Sequence, residues 1–191
     1  MLKKLIVFKI ETKLLLILIV AFIIATAVGT VSHEYGHYGY TSVIYDGNLR
    51  GATRFDRFIF TLGGPVQTIF TGTLGFILLF IFQKNKNSSV LRLIQWFFVF
   101  LSLFWLRQTA NFIMWMIGYL LRGKFSVRGD EIKLAKHLEL TNWAIILPTA
   151  LLGFMVAVVV IFKFIPIQQR FTFIIAGLIG GVSGYIIWLE L

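Results

Sequence analysis

His33-Glu34-Tyr35-Gly36-His37 is an H-E-x-x-H sequence at the downstream end of a long apolar run, Leu14 to Ser32. Residues four apart on a helix share a face, so His33 and His37 can direct their rings at one ion. Imidazole nitrogens suit zinc, and a glutamate between two such histidines has the chemistry of a general base toward water activated by that metal. The competing reading is a pair of histidines that caps a membrane helix. A catalytic zinc needs a third protein ligand and leaves one position for water. The chain contains no cysteine, so the third donor must be nitrogen or oxygen. The candidates are Asp46, Asp56, Asp130, Glu131, His137 and Glu139. Asp130 is favoured, as a hard oxygen donor that follows a glycine and a polar third span. An N-cap role competes for it, because it opens a short helix, and Glu131 and His137 stand as alternative ligands.

The elements that must position these residues are membrane helices. The chain has 191 residues, of which 58% are hydrophobic and only 14% charged. That leaves too little polar surface for a soluble domain of this length. Apolar runs long enough to span a bilayer recur throughout, which predicts an all-α, polytopic membrane protein in a single domain, residues 1–191, with about five transmembrane segments. The net charge of +10 is spread over short loops and both ends, without a basic block interleaved with stacking aromatics. Nucleic acid is therefore excluded as a partner, and contact with the lipid bilayer explains the charge. Lysines and arginines divide almost evenly between alternate loops, so charge does not orient the chain in its membrane.

In chain order, basic residues up to Lys13 precede the first span, Leu14 to about Tyr38. This pairing imitates a signal peptide, down to a small-x-small site at Ala25-Thr26-Ala27. The apolar run is as long as a spanning helix, so retention is expected. Asp46-Gly47 between Thr41–Tyr45 and Leu49–Phe55 predicts a small β-hairpin, whose edge offers strand addition to an extended substrate. The second span is Phe58 to Phe82. Gly63-Gly64-Pro65-Val66-Gln67-Thr68 near its start predicts either an irregular stretch beside a hydrated site or a simple proline kink. The third run, Val90 to Leu121, is longer than one crossing needs. It carries Arg107, Gln108 and Asn111, and an arginine at such depth implies a cavity or a partner. It could pair with a carboxylate, polarise a substrate carbonyl or form a structural interhelical bond. Residues 132–138 read as a short amphipathic helix, followed by spans Trp143–Phe164 and Phe171–Leu189. Gly177, Gly180, Gly181 and Gly184 in the last span give small-xxx-small spacings for close helix packing.

A membrane-embedded H-E-x-x-H at a helix end, followed by Gly64-Pro65 early in the next span, resembles the site-2 protease family of intramembrane metalloproteases. The resemblance covers about Leu14 to Leu140. It implies a core of three membrane helices, a zinc ion within the bilayer and cleavage of peptide bonds in or near transmembrane segments. His33, Glu34 and His37 match the family's first motif. In the Gly-Pro-x-x-Asn element, Thr68 stands where asparagine is expected. The Leu-Asp-Gly motif that carries the third ligand is absent, and Gly129-Asp130-Glu131 is its nearest substitute. These departures mark a divergent member.

The expectation is a zinc metalloendopeptidase in a cell membrane. His33, His37 and Asp130 bind the metal and Glu34 is the general base. Arg107, Gln108, Asn111, Gly64 and Pro65 bind substrate or give polar support. The partner is a membrane-protein or peptide substrate; a regulatory membrane partner or a homo-oligomer is left open. The rival readings are a catalytically inactive zinc-binding membrane scaffold, a membrane-anchored protease for soluble substrates and a transporter. The lack of an internal repeat counts against the transporter.

Overall fold

The computed structural model describes residues 5–39, 53–82, 91–127 and 129–190. Helix α1 spans Thr12–Gly39 and α2 spans Arg54–Phe82. The third span comprises α3 (Leu93–Ser102), a 3-10 turn (Leu103–Trp105) and α4 (Leu106–Arg122). Helix α5 is short, Asp130–His137. Helix α6 (Trp143–Val159) runs on through a π turn to Phe164, and α7 covers Arg170–Glu190. Five of the resulting rods are long and apolar enough to cross a membrane, the architecture of a multi-pass membrane protein.

The outer surface fits lipid rather than water. Leu16, Val20, Ile24 and Val28 recur every four residues along α1, and each is more than half exposed. Such a continuous apolar stripe would be unfavourable in water and is at home in hydrocarbon. Another face of α1 packs on α7. There Gly180 lets the backbones approach: a β-carbon on it would stand 2.5 Å from the Ile19 carbonyl oxygen. Gly184 lies against Thr26 and the Ile23 backbone and Gly177 against the Phe22 ring, on the face their spacing predicts, whereas Gly181 borders open space.

Two apolar clusters set the frame. The larger includes Leu18, Phe22, Leu79, Val99, Val160 and Phe173 and ties α1, α2, α3 and α7 to the end of α6. The smaller, Trp115, Ile132 and Ile146, fastens α5 to α4 and α6, with Ile132 fully buried. Trp115 also stacks on Phe125 and donates its indole N–H to the Ser126 carbonyl, which ties down the chain leading into α5. Helix α4 ends at Gly123, whose left-handed φ of 67° lets its N–H return to Tyr119.

Two expectations need correction. Residues 63–68 are helical throughout, so the irregular stretch is not formed; Pro65 is carried inside α2. Its neighbours supply the reason. Gly36 and Gly63 bring α1 and α2 into close contact, which supports the loosened turn through protein packing. No strand occurs among the described residues. Most of the expected hairpin, including Asp46, lies outside them, but Arg54 and Phe55 of its second strand belong to α2. A Thr53–Asp56 reciprocal cap starts that helix: the Asp56 carboxylate accepts from the Thr53 N–H at 2.8 Å, and Thr53 Oγ1 accepts from the Asp56 N–H at 3.2 Å.

A β-carbon on Gly36 would lie 2.6 Å from the Gly63 carbonyl oxygen and 2.7 Å from Gln67 Cβ. Gly36→Leu is therefore expected to force α1 from α2 and to destabilise the protein by about 1–3 kcal/mol or more, read as a lower unfolding temperature in detergent micelles.

Candidate metal centre

Three chain segments meet at the centre: the last turns of α1, the first half of α2 and the start of α5. Helical spacing sets His33 and His37 edge to face, with ring centroids 4.8 Å apart. Both are buried. Their Nε2 atoms are 3.2 Å apart, and Asp130 Oδ2 lies 3.0 Å from that of His33 and 3.4 Å from that of His37. Zinc bonds to nitrogen and oxygen at tetrahedral angles place neighbouring donors about 3.3 Å apart. The three donor separations bracket that value. His33, His37 and Asp130 thus form a group able to hold a metal ion.

The second ring nitrogens decide which atoms face the centre. His37 Nδ1 donates to the Phe60 carbonyl at 2.7 Å. The Thr68 hydroxyl donates to the Gly64 carbonyl at 3.1 Å, which leaves its oxygen to accept from His33 Nδ1 at 2.9 Å. With both Nδ1 atoms protonated, each neutral ring turns a lone pair toward the carboxylate oxygen. Three lone pairs so close together require a proton or a metal cation between them. Pro65, inside α2, has no N–H for the Thr61 carbonyl one turn back; the neighbouring Phe60 carbonyl is the one that accepts from His37. Gly64 keeps the space clear. A β-carbon there would stand 2.5 Å from His37 Nε2 and 2.6 Å from His33 Nε2.

Asp130 reaches the histidines because it is not the cap. The cap is Gly129, at φ 111°, a conformation that side-chain-bearing residues rarely adopt. The other candidate ligands lie elsewhere. Glu131 is buried and accepts from Asn111 Nδ2 at 3.2 Å, and burial pushes its carboxyl up. The His137 ring packs edge-on against Phe58. Asp56 caps α2, and Glu139 pairs with Arg54 at 3.0 Å.

Glu34 leaves α1 beside this group with its side chain about half exposed, and its Oε1 lies 4.0 Å from Arg107 Nη2. Arg107 also donates to Thr30 at 3.5 Å. On α4, Arg107 meets Glu34 of α1 and Asn111 meets Glu131 of α5. Gln108 is 1% exposed, yet neither of its amide atoms has a partner among the described residues. Glu131 Oε2 and Arg107 Nε are likewise buried without one.

Thr68 was legible in the sequence only as a departure from an expected asparagine. Its position one turn beyond Gly64, on the same helical face, was the available signal for a role at the histidines. Thr68→Val removes the acceptor for His33 and is expected to weaken zinc binding by about 10–100-fold in equilibrium dialysis, with Thr68→Ser close to the parent. Asp130→Ala is expected to abolish stoichiometric zinc in metal analysis of the purified protein, whereas His137→Ala leaves it unchanged. No protein-family model, curated protein or solved structure matches the chain.

Proposed function

We propose that this protein is a zinc-dependent endopeptidase that hydrolyses peptide bonds in or near transmembrane segments, with a site-2-protease-like site. The observation that carries this reading is the meeting of His33 Nε2, His37 Nε2 and Asp130 Oδ2 at 3.0–3.4 Å, one residue from Glu34, inside a bundle of membrane-length helices. His33 lies six residues from the end of α1 at Gly39, roughly 9 Å along its axis. Such a position suits bonds just inside the membrane boundary.

His33, His37 and Asp130 would hold the ion. Zinc, when bound, supplies a Lewis acid that lowers the pKa of water and polarises a carbonyl. Glu34 accepts one proton from the attacking water as its oxygen joins the scissile carbonyl carbon. The C–N bond then breaks, and Glu34 returns that proton to the departing amine nitrogen. Arg107, 4.0 Å from Glu34, is close enough to orient that carboxylate or to meet a substrate carbonyl. Gln108 offers a buried donor and a buried acceptor without partners among the described residues, the complement of a peptide group. Gly64 acts through the histidines rather than through substrate, by clearing the space beneath both rings.

Glu34→Gln separates chemistry from binding. Zinc content is expected to stay at the parent level while cleavage of a reconstituted transmembrane peptide falls by about 10²–10⁴-fold. Undiminished cleavage would remove Glu34 from the reaction. Stoichiometric zinc with no hydrolysis by the parent protein would favour a metal-bound membrane scaffold.

A further inference from the structure

A separate cavity of about 490 Å³ opens between the start of α2 and the outer face of α5, lined by Arg54, Arg57, Lys133, Lys136 and His137. The volume is within the range of small-molecule sites. Its lining is cationic because α5 is two-faced. Ile132, Leu134 and Ala135 are buried, which turns Lys133 and Lys136, three residues apart, outward together. The Arg54 guanidinium is held in place by the His137 carbonyl and Glu139, each at 3.0 Å. Lys133 lies 3.6 Å from Asp130 Oδ1. Arg57 and Lys136 make no ion pair among the described residues, so the cavity keeps an excess of positive charge.

Its height matters as much as its charge. Arg54 and Arg57 form the first turn of a membrane-length helix, and α5 links two more such helices. The cavity is therefore at the end of the bundle, where a bilayer presents its phosphates. Scattered boundary lysines would attract lipid only diffusely, but four basic side chains around one open concavity can converge on a single phosphate. We infer that this pocket binds the phosphate group of an anionic lipid. None of its lining residues is among the three donors, although Lys133 touches one of them, Asp130.

The test uses the full chain in detergent, incubated with equal amounts of phosphatidylglycerol and phosphatidylcholine and examined by native mass spectrometry. The parent protein is expected to retain phosphatidylglycerol selectively, with or without a chelator. Arg57→Gln/Lys136→Gln is expected to lose that selectivity by on the order of tenfold while keeping its helical circular dichroism. Equal retention of both lipids, or unchanged selectivity in the double variant, would overturn the proposal. If the double variant does not fold, competition on the parent protein decides. Displacement of phosphatidylglycerol by excess inorganic phosphate supports a phosphate pocket, and its failure to displace overturns it. Binding of inorganic phosphate without lipid preference would make a soluble ion the ligand, and retention of an acidic peptide in place of lipid would make the ligand a protein. Either result would overturn the lipid assignment.

Discussion

Two imidazoles and a carboxylate that turn lone pairs toward a common point repel one another unless a cation lies among them, and apolar surroundings sharpen that repulsion. Much of this molecule's local architecture serves to keep such an arrangement in place. The Phe60 carbonyl and the Thr68 hydroxyl engage the far nitrogens of His37 and His33 and so select the near ones as donors. Gly64 allows α2 to pass beneath both rings. The Trp115–Ile132–Ile146 cluster fixes α5, and Gly129 provides the backbone bend that sends Asp130 inward. Packing thus supplies what the three polar groups would oppose if left to themselves.

The bundle is divided along its length. Around Leu18, Phe22, Val99 and Val160 it is a dry core of interlocking aliphatic and aromatic side chains. Toward the histidines, Arg107, Gln108, Asn111 and Glu131 occupy the interior, and several of their atoms have no partner among the described residues. Buried polar groups without partners are costly, especially at membrane depth, so a structure retains them where they meet something else. The 3-10 turn at Leu103–Trp105 separates the two regimes within the third span. It is gripped by glycines: a β-carbon on Gly72 would lie 2.7 Å from Trp105 Cδ1, and Gly153 approaches the Trp105 carbonyl. That grip fixes the rotation of α4, and with it the direction in which Arg107 and Asn111 point.

Charge is also divided. The acidic groups near the centre are drawn inward: Asp130 to the histidines and Glu131 to Asn111. The basic residues of the same short helix, Lys133 and Lys136, are turned outward to face Arg54 and Arg57. One eight-residue helix therefore contributes to both an inner anionic position and an outer cationic cavity, because its two faces alternate in polarity with helical period.

From the chain alone came the number of spans, the short amphipathic helix, the glycine face of α7 and the shared face of His33 and His37. All of these depend on composition or on spacings within one helix, where geometry follows directly from sequence separation. Asp130 could be favoured on its chemistry, but the sequence left Glu131 and His137 open beside it. The choice turns on a rotation of α5 set by Ile132 packing on Trp115 and Ile146, contacts between residues that are distant in sequence. Pro65 was legible as a disturbance, yet whether it broke or merely loosened the helix depended on how closely α1 would pack against α2. Thr68 could be placed on the face of Gly64, but its pairing with His33 could not be read, since nothing in either helix specifies its alignment with the other. The cationic cavity likewise joins residues some eighty positions apart, and only the meeting of α2 with α5 in three dimensions creates it.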